Sequence, residues 1–200
     1  MKGSGFLAIW SDVAAEDETD YLHWLTREHT EEQLGVPGFQ AVRVFRSLRK
    51  DARRYFIHYQ LDSPEVLASD AYLARLNAPT PWSQRVMPKL ANFARGGGRV
   101  IAEIGEGRGG LLAAAKLDSN SPLDLAQLET IATMDGIVAA RLLETDLART
   151  TIATREKDMR ARDDSFAALL LIEGVDERAV LTASSRHHTA EDVYALVFEL

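Results

Sequence analysis

Two histidines, a tryptophan and four acids lie within residues 20–39, "DYLHWLTREHTEEQLGVPGF". Glu28 directly precedes His29, and Glu32 follows three residues later. A histidine near its ordinary pKa of about 6.5 can donate or accept a proton at cellular pH, and a neighbouring carboxylate can set its protonation. We therefore predict that His29 and Glu28 are catalytic, and that Trp24 and Glu32 line the substrate cavity beside them.

One predicted helix must position these groups, and its start carries acids that suit the helix dipole. At about 100° per residue, one face combines four large apolar side chains with three ionisable groups: Tyr21, Leu22, Trp24, Leu25, Glu28, His29 and Glu32. The opposite face carries His23, Arg27 and Thr30. A buried charge without a partner is costly. The ionisable groups therefore either line a cavity, or lie near solvent at the helix end, or pair with Arg43 or Arg46 of the neighbouring strand.

Strand and helix patterns follow the same order in both halves of the chain, β-α-β-β-α-β. "GFLAIWSD" from Gly5 resembles "GLLAAAKLD" from Gly110. This order is that of the ferredoxin-like fold, whose sheet carries helices on one face only. Two such sheets can cover each other's bare faces. We predict an α+β fold of tandem ferredoxin-like repeats, residues 1–106 and 107–200, which pack into one barrel. The long charged hairpin at 144–165 is expected to project into solvent or to contact another subunit.

The two halves differ where the first carries its candidate site. The matching helix of the second half, "SPLDLAQLETIATMDG", contains neither histidine nor tryptophan. The fold therefore does not require Trp24 or His29, which favours a single site in the first half.

Three residues complete the predicted substrate-binding set. Trp82 lies in a loop stiffened by Pro79 and Pro81, which could close over a pocket mouth or plug one end of the core. His58 alternates with apolar residues on a strand, so it faces either the helices or the barrel interior. Arg43 lies on the strand beside the first helix.

Two further motifs do not indicate a site. "GEGRGG" at 105–110 matches a dinucleotide-binding pattern, but that pattern needs a helix directly after it, and the repeat predicts a strand there. His187 and His188 are adjacent in the chain. Side chains of neighbouring residues seldom bind the same metal ion, even with Glu191 nearby. We expect no metal and no cofactor.

The composition of the chain limits the partners and the chemistry that it can have. The net charge of -7 argues against a nucleic-acid partner. The chain has no cysteine, which excludes disulfides and thiolate chemistry. The first apolar run has five residues, fewer than a signal peptide or a membrane span needs. We expect a cytoplasmic protein without a membrane partner.

Two stretches of the first half resemble the dimeric α/β-barrel proteins, and within them the EthD-like and related groups. These stretches are "YLHWLTREHTEEQLGVPGFQAVRVFRS" and "RYFIHYQLDSPEVLASDAYLARLNAPTPW". The resemblance lies in an aromatic residue and an acid–histidine pair on the first helix, and in a turn before the second strand: Trp24, Glu28, His29 and residues 37–39. It implies a barrel of dimeric type, a helix–sheet cavity close to His29, and a homodimer.

This superfamily includes cofactor-free monooxygenases, lactone isomerases, haem enzymes and members without known activity, so the resemblance does not transfer a reaction. One hypothesis is an enzyme that binds a small, partly apolar organic molecule and uses His29 as acid or base in isomerisation or metal-free oxygenation. A haem would need His29 or His58 as its axial ligand. The alternative is a non-catalytic binding or assembly protein with a structural His29 cluster. A cavity of roughly 300 Å³ or more beside His29 would favour the enzyme.

Overall fold

The computed structural model of the chain describes residues 3–117, 124–160, 162–185 and 192–200. The strands in these ranges are β1 (Gly5–Asp12), β2 (Phe39–Ser47), β3 (Arg54–Leu61), β4 (Ala91–Ile104), β5 (Leu111–Leu117), β6 (Ile137–Thr145), β7 (Ala168–Gly174) and β8 (Val193–Glu199). The α-helices are α1 (Glu18–Trp24), α2 (Thr30–Leu34), α3 (Asp70–Leu76), α4 (Pro81–Val86), α5 (Leu125–Ala132), α6 (Leu147–Thr150), α7 (Arg155–Asp158) and α8 (Glu177–Ser185). A π-helical turn spans Leu25–His29, and 3-10 turns span Pro64–Ala68 and Met87–Lys89. Each of these helices is too short and too polar to cross a bilayer.

The described strands close into one antiparallel barrel in the order β1-β3-β2-β8-β5-β7-β6-β4, and β4 returns to pair with β1. The four strands of the first half lie side by side, and so do the four of the second half. The pairs β2–β8 and β4–β6 join the two groups. The prediction of an α+β chain that closes into a barrel is therefore confirmed.

Three apolar layers hold the barrel together. Inside it, the ring of Trp10 packs against Phe56 at 4.6 Å and against Phe166 at 5.3 Å between centroids. Outside the first four strands, α1 to α4 cover a second layer that includes Trp24 and Tyr59. Outside the second half, α5 and α8 cover a third layer. The strands β1 and β3 are therefore buried on both faces along almost their whole length.

Charged side chains are also buried inside the barrel, where the halves meet. Glu173 on β7 accepts hydrogen bonds from Arg43 on β2, at 2.6 Å, and from Arg141 on β6. The connector between the halves joins this cluster, since Gly109 donates its backbone N–H to Glu173 at 2.9 Å and accepts from Arg43 at 2.6 Å. The connector leads directly into β5, which agrees with the prediction of a strand rather than a dinucleotide-binding helix.

The region around Trp82 is a helix and not the loop that the two prolines suggested. Thr80 caps α4 by accepting a hydrogen bond from the backbone N–H of Ser83, and Pro81 occupies the first helical position. The same residue types that stiffen a loop therefore start a short helix here.

The charged hairpin of the second half folds back over the first half. Residues 146–160, which we name the covering segment, contain α6 and α7. The hydroxyl of Thr150 bonds to both the N–H and the carbonyl of Gly97 on β4, each at 3.1 Å. The backbone N–H of Arg155 donates to the side-chain oxygen of Asn77, just after α3, at 3.1 Å. These partners hold the segment against its own chain, so it does not project into solvent as expected.

Candidate functional site

The first helix contains a π-helical turn that changes which residues face the sheet. The turn ends at His29, and the N–H of Thr30 bonds to the carbonyl of Leu25, five residues earlier. A π turn holds more residues than an α turn, so the positions after it are rotated relative to a uniform wheel. Thr30 is fully buried although the wheel placed it outside, whereas Glu28 and Glu32 are only half-buried.

A cavity lies beside His29, between this helix and the outer face of the first-half sheet. Aromatic rings supply much of its wall: Tyr21, Trp24, Tyr59, Tyr72 and Phe93. The volume that the centres of water molecules can occupy in this cavity is about 30 Å³. The total empty space, including the mouth, is about 540 Å³. The cavity has room for about two water molecules. It is therefore well below the volume of roughly 300 Å³ that would favour an enzyme, and a larger molecule would require its walls to move.

The imidazole of His29 is buried in this wall and stacks on Trp24, with 4.3 Å between ring centroids. Its Nδ1 is buried without a hydrogen-bond partner. Burial, followed by the positive charges of Arg75 and Arg160, lowers the pKa of His29 to about 3. The ring is therefore neutral at cellular pH, and it presents an unused polar atom rather than a charge.

The two predicted acidic partners of His29 are bonded to other groups. Glu28 accepts a hydrogen bond from the hydroxyl of Thr80 at 2.6 Å, and Glu32 accepts one from Arg75 at 2.8 Å. Partial burial raises the pKa of Glu32, against the opposing effect of Arg75. Neither acid lines the cavity. They link the first helix to the segments around α3 and α4, and they reach His29 only through the backbone of that helix.

Only one of the two tryptophans that we predicted to bind the substrate lines the cavity. Trp24 lines it and donates its indole N–H to the buried hydroxyl of Ser83 at 3.1 Å. Trp82 lies outside the lining, where its indole N–H bonds to Asp20 at 3.0 Å. Trp82 also packs against the apolar layer under the helices, so it closes one end of that layer.

Arg43 and His58 lie on the other face of the sheet, inside the barrel. Arg43 belongs to the cluster around Glu173, and the ring of His58 lies nearly parallel to that of Phe56, with 6.4 Å between centroids. Burial, and then the charges of Arg141 and other arginines, lowers the pKa of His58 to about 3. Neither residue shares the cavity of His29.

The covering segment supplies cavity residues that the sequence did not reveal: Thr154, Glu156, Lys157 and Arg160. The carboxyl of Glu156 is buried, and one of its oxygens has no hydrogen-bond partner. Burial raises its pKa to about 7, although Arg160, Arg75 and Arg95 oppose this shift. Glu156 is thus a cavity group that can donate or accept a proton near neutral pH.

Unpaired polar atoms are concentrated around this cavity. Six of the twelve buried side-chain atoms without a partner in the described part of the chain belong to its lining: those of His29, Gln33, Tyr59, Thr154, Glu156 and Arg160. Each such atom costs about 1–3 kcal/mol when it stays unpaired. Because all six belong to residues of the lining, a ligand or water molecule that reached these atoms would supply the missing hydrogen bonds.

The surroundings of His29 and His58 leave no room for a haem in this structure. The cavity beside His29 is many times smaller than a porphyrin, and His58 is packed among aromatic rings. Within the ranges that the structure describes, no three His, Asp or Glu side chains are grouped to hold a metal ion. His187, His188 and Glu191 lie outside those ranges.

No family profile and no curated protein matches the sequence. Solved structures do match along the whole fold. A protein from Fusobacterium nucleatum, provisionally named a monooxygenase, has a TM-score of 0.56 at 12% identity, covering 100% of this chain and 95% of its own. An anthrone oxidase-like protein has a TM-score of 0.59 at 11% identity, covering 100% and 93%.

A third protein, provisionally named a chlorite dismutase, has a TM-score of 0.53 at 13% identity, covering 98% of this chain and 95% of its own. At these identities the likeness concerns the fold. The chain shares the α/β-barrel fold of these proteins, which agrees with the fold that the residues of its first helix and turn implied.

Proposed function

We propose that the chain is an enzyme whose cavity beside His29 widens, by movement of its walls, to bind a small, partly apolar organic molecule. The observation that carries this proposal is that six residues lining one cavity with aromatic walls each have an unpaired buried polar atom. Apolar walls with a few convergent polar groups are typical of small-molecule sites. The reaction class is isomerisation, or oxygenation without a cofactor, within an EthD-like branch of the superfamily.

His29 contacts the ligand in this proposal. Its neutral ring can donate or accept a hydrogen bond through the free Nδ1, and it can take a proton only transiently because its pKa is about 3. Trp24 fixes the ring by stacking. Glu28 and Glu32 act as positioning residues through Thr80 and Arg75, which hold the helix that carries His29. The provisional names of the structural neighbours, monooxygenase and anthrone oxidase-like, support an enzyme of this kind.

Arg43, His58 and Trp82 take a supporting part in the proposal. Arg43 and His58 fix the barrel behind the sheet that forms the cavity floor, and Trp82 holds α4 against α1 through Asp20. We expect substitutions of these three residues to alter the shape of the site without removing a direct ligand contact.

A binding screen tests the proposal. Aromatic acids, lactones and neutral aromatics are added to the full chain, and thermal shift and Trp fluorescence are measured for the wild type, His29→Gln and His23→Gln. His23 is the matched control, since it lies on the same helix but outside the cavity lining. We expect a compound to stabilise the wild type and His23→Gln, and to bind His29→Gln at least about tenfold more weakly. Equal binding by a well-folded His29→Gln would remove His29 from the site.

A non-catalytic binding or assembly protein is the second candidate. The volume of about 30 Å³ and the stacking of His29 on Trp24 favour it, because both resemble a packed core. In that case no compound in the screen would bind, and His29→Gln would lower stability without changing any ligand response.

We also infer that the chain consists of two ferredoxin-like units, 1–106 and 107–200, and that it forms a homodimer. The contiguous strands β4-β1-β3-β2 and β8-β5-β7-β6 support the two units. Because the barrel closes within one chain, a second copy would have to contact its outer surface. Sedimentation of the full chain measures the dimer, and co-expression of the two fragments should restore the fold that neither forms alone.

A further inference from the structure

Two cations of the cavity lining converge on one neutral oxygen. Arg95 on β4 donates to the carbonyl of Thr150 at 3.3 Å, and the ammonium of Lys157 donates to the same carbonyl. The other partners are also neutral: the hydroxyl of Tyr72 for Arg95, at 2.8 Å, and the carbonyl of Ile152 for Lys157, at 2.7 Å. Neither cation forms an ion pair with a carboxylate in the described part of the chain.

The charge of the lining is correspondingly unbalanced. Three cationic side chains, Arg95, Lys157 and Arg160, line the cavity together with one acid, Glu156. Arg160 is paired with Asp163 outside the lining, at 2.8 Å, so its charge is partly compensated. Burial and the charge of Arg95 lower the pKa of Lys157 to about 8. Two neighbouring positive charges that are poorly solvated repel each other, and a bound anion compensates this repulsion.

Resting on the proposed function, we propose that the ligand is a carboxylate with an apolar body, and that its carboxylate binds between Arg95 and Lys157. When the cavity widens, its aromatic wall of Trp24, Tyr21 and Phe93 receives the apolar body. Lys157 belongs to the covering segment, so the second half of the chain completes the anion site of the first half. Glu156, next to Lys157 in the same lining, donates a hydrogen bond to the bound anion in its protonated form.

Matched pairs of an acid and its amide test the charge requirement, because the two differ little in size. Benzoate is compared with benzamide, and 2-naphthoate with 2-naphthamide, by calorimetric titration of the full chain at pH 7. We expect at least one carboxylate to bind at least about tenfold more tightly than its amide. Lys157→Gln should abolish that preference, whereas Lys157→Arg should retain it. Lys89→Gln is the control, since Lys89 is paired with Asp17 outside the cavity.

The outcomes separate this inference from the proposed function. Binding of the amides or of neutral lactones as tightly as the carboxylates would overturn the anion site and leave a small-molecule site intact. A preference for carboxylates that persists in folded Lys157→Gln would also overturn it, because the anion would then bind elsewhere. The absence of binding by every compound in both screens would reject both proposals.

Discussion

The imidazole of His29 stacks on the indole of Trp24, with 4.3 Å between the ring centroids and 25° between the planes. Residues five apart point in different directions in a regular α-helix, since one turn takes 3.6 residues. The π-helical turn at Leu25–His29 brings them one above the other. Such turns frequently occur at functional sites. The backbone irregularity thus positions His29 in the cavity wall.

The first prediction concerns the two tryptophans. Trp24→Phe removes the indole N–H that bonds to the buried Ser83, and it reduces the stacking on His29. We expect the free energy of unfolding to fall by about 2 kcal/mol, because the buried hydroxyl of Ser83 loses one of its two side-chain partners. Trp82→Phe loses a bond to the half-exposed Asp20 and should cost less than about 1 kcal/mol. Urea unfolding measures both, and a larger loss in Trp82→Phe would contradict this view of the site.

The second prediction concerns acid sensitivity. His29 and His58 have folded-state pKa values of about 3, below the value of about 6.5 expected in the unfolded chain. The unfolded chain therefore binds more protons below pH 6.5, and stability falls as pH decreases from about 6.5 towards 3. The slope is up to about 1.4 kcal/mol per pH unit for each histidine.

Urea unfolding at pH 6.5, 5.5 and 4.5 measures this dependence. His29→Gln and His58→Gln should each lose stability less steeply than the wild type, and the double variant less steeply still. If the free energy of unfolding fell equally steeply with pH in all four proteins, protonation of these rings would not contribute to the loss of stability.

Several features of the fold could be predicted from the sequence because they depend on local patterns. Alternation of apolar residues predicts β1, and the repeated order of elements predicts a barrel. A glycine shortly after a helix is typical of the left-handed conformation, and the φ angles of Gly38 and Gly136 are 96° and 78°. These signals come from neighbouring residues, so a single sequence contains them.

The rest of the site depends on contacts between distant residues. The wheel assumed a uniform rotation, so it could not show that Thr30 is buried and that Glu28 faces Thr80. Glu156 lies in a charged stretch that is typical of a solvated hairpin. Only the docking of Thr150 on Gly97 brings it into a cavity formed by the other half of the chain. No spacing in the sequence indicates that contact.

The third prediction concerns Glu156. Its folded-state pKa of about 7 lies above the ordinary value of 4.5, so its contribution to stability is present below pH 4.5 and is lost as pH rises through about 7. Glu156→Gln removes this dependence while keeping the shape of the side chain. Relative to the wild type, the variant should gain on the order of 2 kcal/mol between pH 4 and pH 8. Exposed Glu31→Gln serves as the control, and an equal gain in both variants would contradict the burial of Glu156.

The last prediction concerns the charged cluster that joins the two halves inside the barrel. Glu173→Gln keeps the shape of the side chain but leaves Arg43 and Arg141 buried without their shared counter-charge. Breaking a buried ion pair in this way costs about 3–5 kcal/mol. Glu199→Gln is a matched control, because Glu199 also pairs with Arg43, at 3.5 Å, but its side chain is 55% exposed.

An exposed pair is worth less than about 1 kcal/mol, so the two variants should differ clearly in urea unfolding. Similar losses in both would mean that water reaches the cluster through the barrel end, where Glu199 lies. In that case the seam between the halves would be held by the strand pairs β2–β8 and β4–β6 and by the aromatic interior rather than by Glu173.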